Sequence, residues 1–112
     1  MIHWKALNTQ LQLQEIIRES FNQIIFIFKH STWCNVSSLA KMRLEDNWAR
    51  EFSTNTEIYL LDVFKQRDLS NEVASVFQVH HESPQILLIQ DGECFHDASH
   101  FDITVEEIRE VI

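Results

Sequence analysis

The run Ile24-Ile25-Phe26-Ile27-Phe28 is apolar at every position, so it has no face that can be left to water. A strand of this kind must be covered on both sides, which places it at the centre of a sheet with helices above and below. It is far too short to cross a membrane. The flanking residues supply the cover. Thr9 with Gln12 forms a capping-box pattern, and Leu13, Ile16, Ile17 and Phe21 follow at helical spacing. Beyond the run, Val36, Ala40, Leu44, Trp48 and Phe52 recur every four residues with Leu39 beside them, which predicts a helix of about 17 residues.

The remaining elements follow from the same periodicities. Ile2, Trp4 and Ala6 alternate with polar neighbours as a weak first strand, and Ile58 to Val63 reads as a second apolar strand. Leu69, Val73, Val76 and Phe77 mark a short helix with Asp68 or Ser70 near its start. Gln85 to Gln90 is a strand, Asp91-Gly92 a two-residue hairpin signal, and Glu93 to Ala98 the return strand. Thr104 with Glu107 is a second capping-box pattern ahead of Val105, Ile108 and Val111. The order is βαβαβαββα. It predicts one α/β domain over residues 1–112, a mixed central sheet with helices on both faces. No repeat or linker interrupts it.

Composition narrows the function classes. The net charge of −8 argues against nucleic acid or an anionic membrane surface as partner. Two cysteines make no disulfide framework, and Met1-Ile2-His3-Trp4-Lys5 does not read as a signal peptide, so a reducing cytoplasm is the expected setting. Seventeen acids occur, yet none lies between Glu19 and Glu45, where Lys29, Lys41 and Arg43 do. Part of that gap is the buried strand, and the rest surrounds Cys34.

Cys34 stands between the central strand and the long helix. The first turn of a helix offers unpaired N–H groups and a partial positive charge, which favour a thiolate, and nearby carboxylates that would oppose it are missing from the sequence. A cysteine after the second strand of this element order is the thioredoxin arrangement. The only proline agrees with it: Pro84 opens the first hairpin strand, where that fold places a cis-proline facing the active cysteine.

The resemblance then becomes specific. Lys29-His30-Ser31 before the cysteine, Ser37 three residues after it, Ser83-Pro84-Gln85-Ile86-Leu87-Leu88-Ile89, and Ala98-Ser99-His100-Phe101-Asp102-Ile103 resemble the monothiol bacilliredoxins, YtxJ-like proteins of the bacillithiol system. The resemblance implies a thioredoxin-like fold and a thiol-disulfide oxidoreductase acting on S-thiolated client proteins. Cys34 would be the active thiol, and Ser37 would occupy the position of the absent second cysteine. No bound cofactor is implied. Bacillithiol, or another low-molecular-weight thiol such as glutathione, coenzyme A or cysteine, would be the co-substrate. In one respect the chain departs from the family, which usually has proline directly after the cysteine. Asn35 stands there and restores an N–H donor beside the sulfur.

Further expectations attach to the surroundings of Cys34. With no second thiol at Ser37 the cycle must be monothiol, and the Ser37 hydroxyl can donate a hydrogen bond to the Cys34 sulfur. Substrate contacts are expected from Trp33, Asn35, the backbone at Ser83 before Pro84, and His100, which the return strand brings back to the same end. His80 and His81 are placed like His100. Cys94, just past the hairpin turn, lies at the far end, beyond the reach of a disulfide to Cys34. Among His30, Cys34, His81 and His100 no pair has a recognised zinc-ligand spacing, so no metal is expected. No oxyanion hole or third group marks a cysteine hydrolase. The competing reading is a thioredoxin-like binding or redox-sensing module whose cysteine is capped without turnover.

Overall fold

The computed structural model describes residues 2–52 and 56–112. Its elements run β1 (Lys5–Ala6), α1 (Gln10–Glu19), β2 (Ile25–His30), α2 (Asn35–Glu51), β3 (Glu57–Asp62), α3 (Arg67–Phe77), β4 (Gln85–Gln90), β5 (Glu93–Ser99), the single 3-10 turn His100–Asp102, and α4 (Val105–Val111). This is the expected order. The five strands lie β1-β3-β2-β4-β5. β1 and β2 run parallel to β3, while β4 runs antiparallel to β2 and to β5. β2 is therefore central, and all six of its residues are buried.

Strand alternation divides those six between two cores. Phe26 and Phe28 face Ala40, Leu44 and Trp48 of α2, with Ile103, Val105 and Ile108 closing that layer. Ile25 and Ile27 face Leu13 and Ile16 of α1 and Leu69, Val73 and Phe77 of α3. Trp48 contributes an edge-on contact to Phe26 at 5.3 Å between ring centroids. Each fully buried side chain of this size contributes roughly 1.5–3 kcal/mol, so the two layers hold the sheet from both sides.

Local signals act where the sequence places them. The Thr9 side chain accepts from the Gln12 N–H and the Gln12 side chain reaches back to the Thr9 N–H, a complete capping box. Thr104 accepts from the Glu107 N–H, but no return bond from the Glu107 side chain completes the expected second box among the described residues. Asp91 and Gly92 both have positive φ, 54° and 78°, as a two-residue type I′ turn requires. The Ser83–Pro84 peptide bond is cis. One start signal differs: α3 begins at Arg67 after Gln66, and Ser70 lies buried on the inner face of the helix instead of capping it. Its carbonyl accepts from the buried Lys29 Nζ at 3.0 Å, so Ser70 serves the sheet-facing side of α3.

Candidate active site

The last two residues of β2 send their side chains to opposite faces, as strand geometry dictates. Lys29 points toward α3. It is fully buried, and its Nζ lies 3.0 Å from both the Ser70 carbonyl and His81 Nδ1. Burial pushes the Lys29 ammonium down to about 8. Burial and the Lys29 charge both lower His81, so the neutral imidazole accepts at Nδ1 from the ammonium. His30 points toward α2. Its Nδ1 lies 2.6 Å from Ser37 Oγ, and its ring stacks on Phe28. Burial first and then the Lys41 charge lower the His30 pKa, while Asp62 and Glu45 oppose them.

Beyond β2 the chain turns through Ser31–Cys34, closed by the Cys34 N–H donating to the Ser31 carbonyl at 3.2 Å. Cys34 is the N-cap of α2, and its carbonyl accepts from the Ser38 N–H. No side chain caps this helix. The start of α2 thus presents first-turn N–H groups beside a free, half-buried thiol.

Ser37 is fully buried, and its hydroxyl accepts from the Ser31 N–H at 3.0 Å while pairing with His30. Among the described residues no hydrogen bond joins Ser37 to the Cys34 sulfur. The expected Ser37–thiol bond is replaced by a brace between the loop and His30, because the α2 backbone turns this hydroxyl inward. Ser37 therefore holds the Ser31–Cys34 loop in place.

Cys34 opens into a cleft of about 330 Å³ bounded by Ser31, Phe64, Arg67, Asn71, His81 and Ser83, with Val63 and Ser70 beneath. Ser83 Oγ is buried and has no hydrogen-bond partner, and neither backbone group of Ser83 has a backbone partner among the described residues. Trp33 is 79% exposed, with its ring 6.2 Å from that of Phe64 on the cleft rim. Asn35 is exposed as the first residue of α2. Pro84 is buried at the head of β4. His100 does not line the cleft. It follows β5 with φ 55°, donates its N–H to the Pro84 carbonyl at 3.1 Å, and belongs to the 3-10 turn packed on α2.

Sequence reasoning singled out Cys34, Trp33, Asn35 and Ser83, and these cluster at one end of the sheet. It passed over Arg67 and Asn71 and gave His81 no partner. Positive charge at the cleft comes from Arg67 of α3 in the lining and from Lys29 of the acid-free stretch, whose ammonium stands behind His81. Within that stretch Lys41 pairs with Glu45 at 2.7 Å and Lys29 is buried. Arg67 carries no local motif, and only the docking of α3 brings it into the cleft that Cys34 also lines. Among the described residues no group of three or more His, Cys, Asp and Glu side chains could hold a metal ion. No helix there is long and apolar enough to cross a membrane.

Cys94 lies next to the β4–β5 turn, opposite Ile89, which itself pairs with Ile25 at the start of β2. The length of β2, roughly 16–20 Å at ~3.3 Å per residue, separates it from Cys34. Burial pushes the Cys94 thiol up to about 11. Its sulfur lies 3.2 Å from the His96 carbonyl.

Known proteins place this arrangement. A solved protein of thioredoxin fold, described as a candidate oxidoreductase, superposes with a TM-score of 0.80 at 31% identity, over 94% of this chain and 89% of its own. Fasciola hepatica thioredoxin gives a TM-score of 0.69 at 24% identity, over 96% of this chain and 95% of its own. Schistosoma mansoni thioredoxin pre-protein gives 0.72 at 17% identity, over 98% and 95%. The last two likenesses establish the thioredoxin fold alone. The sequence profile of the monothiol bacilliredoxin BrxC matches residues 5–108. With the fold, the single thiol at the head of α2 and a profile match over nearly its whole length, the chain belongs to the monothiol bacilliredoxin family.

Proposed function

We propose that this protein removes a low-molecular-weight thiol, bacillithiol in the first instance, from mixed disulfides on client proteins, through Cys34 alone. The Cys34 thiolate attacks the small-thiol sulfur, a new disulfide forms between them, and the client leaves as a thiolate. A second small thiol, or a dithiol reductase, then attacks the adduct and releases Cys34 as a thiolate. The small thiol leaves as its own disulfide or as the reductase's. Each step exchanges one disulfide for another, so no outside oxidant is consumed.

The observation that carries this reading is the isolation of Cys34. It is the one thiol facing the cleft, Ser37 is committed to His30 and Ser31, and Cys94 is a strand length away. The exposed Trp33 and Phe64 rings offer an apolar rim to a client, and the unpaired Ser83 backbone offers an extended segment its hydrogen bonds. The free thiols suit a reducing cytoplasm.

Intact-mass tracking of thiol transfer from a bacillithiol-capped protein tests it, with Cys34→Ala as control. Release of the client, appearance of the adduct on Cys34, and turnover on adding bacillithiol support the cycle. An adduct that never turns over favours the sensing module. Turnover with glutathione, coenzyme A or cysteine but not bacillithiol reassigns the small thiol.

A further inference from the structure

The chain as a whole is acidic, yet among the described residues no carboxylate lines the cleft beside Cys34. Arg67 and Asn71 stand one helical turn apart on the same face of α3, and both line it. The Arg67 guanidinium has no ion pair among the described residues. Asp62 Oδ1 accepts from the Phe64 and Lys65 N–H groups at 3.0 Å each, closing the turn that leads into α3, while Asp68 follows Arg67 in the first turn and Glu82 acts on His81 from behind the cleft lining. His81, also in the lining, rests on the buried Lys29 ammonium, and the Ser83 hydroxyl lacks any partner among the described residues. The lining thus combines a guanidinium, an amide, an unused hydroxyl and the Cys34 thiol. The volume, about 330 Å³, is at the lower end of small-ligand sites.

We propose that this cleft is a carboxylate subsite for the small-thiol half of the mixed disulfide: with its sulfur at Cys34, the small thiol lays an anionic carboxylate against Arg67, within reach of the Asn71 amide and the Ser83 hydroxyl. The subsite rests on the monothiol exchange proposed above and adds to it the residues that hold the small thiol's carboxylate. It also gives a reason for the direction of attack. A carboxylate held by Arg67 would put the small-thiol sulfur, and not the client sulfur, nearest Cys34.

The test uses three small symmetric disulfides that carry no protein: dithiodipropionate (anionic), hydroxyethyl disulfide (neutral) and cystamine (cationic). Adduct formation on Cys34 is followed by intact mass at low salt, and each rate is divided by that of the neutral thiol N-acetylcysteinamide with the same disulfide. The wild-type protein should prefer the anionic over the neutral probe by about 10-fold, and less as salt is added. Arg67→Glu should abolish or invert the preference and Arg67→Lys should retain most of it. Arg18→Glu makes the same change in net charge on an exposed α1 residue near the β4–β5 turn, at the opposite end of the sheet, and should leave the preference intact. Equal corrected rates for all three probes would overturn the subsite while leaving the exchange reaction standing. So would a preference that survives Arg67→Glu, or one that Arg18→Glu removes equally. No reaction of Cys34 with any probe would overturn the exchange reading and the subsite with it.

Discussion

Ser37 Oγ sits 2.6 Å from His30 Nδ1 and accepts the Ser31 N–H at 3.0 Å, so one hydroxyl ties the end of β2, the active-site loop and the first turn of α2 together. Ser37 and His30 are buried and Ser31 is half-buried, and an orphaned buried polar group costs about 1–3 kcal/mol. Ser37→Ala removes the shared partner and leaves both the Ser31 N–H and His30 Nδ1 unsatisfied. It should destabilise the protein by roughly 1–3 kcal/mol, read as a fall in the urea midpoint with unchanged m.

The same geometry makes a dithiol variant informative. Ser37 stands on the turn of α2 that follows the Cys34 cap, at the spacing of a Cys-X-X-Cys pair. Ser37→Cys should therefore form an internal disulfide under mild oxidation, seen by intact mass as the loss of two hydrogens. It should also lose stability relative to the wild type when reduced, since a thiol is a weak partner for His30 and the Ser31 N–H. If the variant stays fully reduced, the position of Ser37 would not correspond to a resolving cysteine.

Asn35 is the first residue of α2 and is exposed. Proline fits the first helical position because its fixed φ matches and its missing N–H needs no helical partner. Asn35→Pro should stabilise the fold by about 0.4–1 kcal/mol by restricting the unfolded chain. It also deletes one N–H beside the sulfur. Thermal melts and Cys34 alkylation rates measured on the same variant separate the two effects.

What the sequence could reveal follows the range of each interaction. The unbroken apolar run of β2, the capping pattern at Thr9–Gln12 and the Asp91-Gly92 turn are local signals, and each acts in the structure as its chemistry requires. Cys34 and Pro84 were legible because element order fixes their ends of the sheet. Arg67 was not, since no residue near it in sequence marks it, and only the packing of Leu69 and Val73 against the sheet brings it to the cleft that Cys34 lines. The Ser37–thiol hydrogen bond failed as an expectation for a related reason. Spacing along a helix gives proximity, but the partner is chosen by what the neighbouring strand presents, and β2 presents His30 there.

The two cysteines should behave independently. Cys94 is half-buried with its thiol pushed up to about 11, so at pH 8 it is almost entirely protonated. Iodoacetamide at that pH should label Cys34 well ahead of Cys94, by peptide mapping. Oxidation of the folded monomer should yield no Cys34–Cys94 bridge, and Cys94→Ala should leave thiol transfer within about 2-fold of wild type. An internal bridge formed without unfolding would contradict the strand-length separation of the two residues.

Lys29 gives the fold a pH dependence with a definite sign. Its ammonium is fully buried, and desolvation lowers it from 10.5 in the unfolded chain to about 8 in the folded protein. Between those values the unfolded chain holds the proton that the folded protein has released, so folding stability gains as pH rises. Below pH 8 the folded protein carries the full cost of the buried charge, about 3 kcal/mol before the bonds to Ser70 and His81 are counted. Cys94 and Tyr59, both raised by burial, act in the opposite direction at alkaline pH, so the wild-type curve alone would not isolate Lys29. The difference between wild type and Lys29→Met cancels them. In urea melts from pH 7 to 10.5, the wild type should gain on the variant by up to about 3 kcal/mol, with most of the change above pH 8. A flat difference would mean that Lys29 titrates in the folded protein as it does in water.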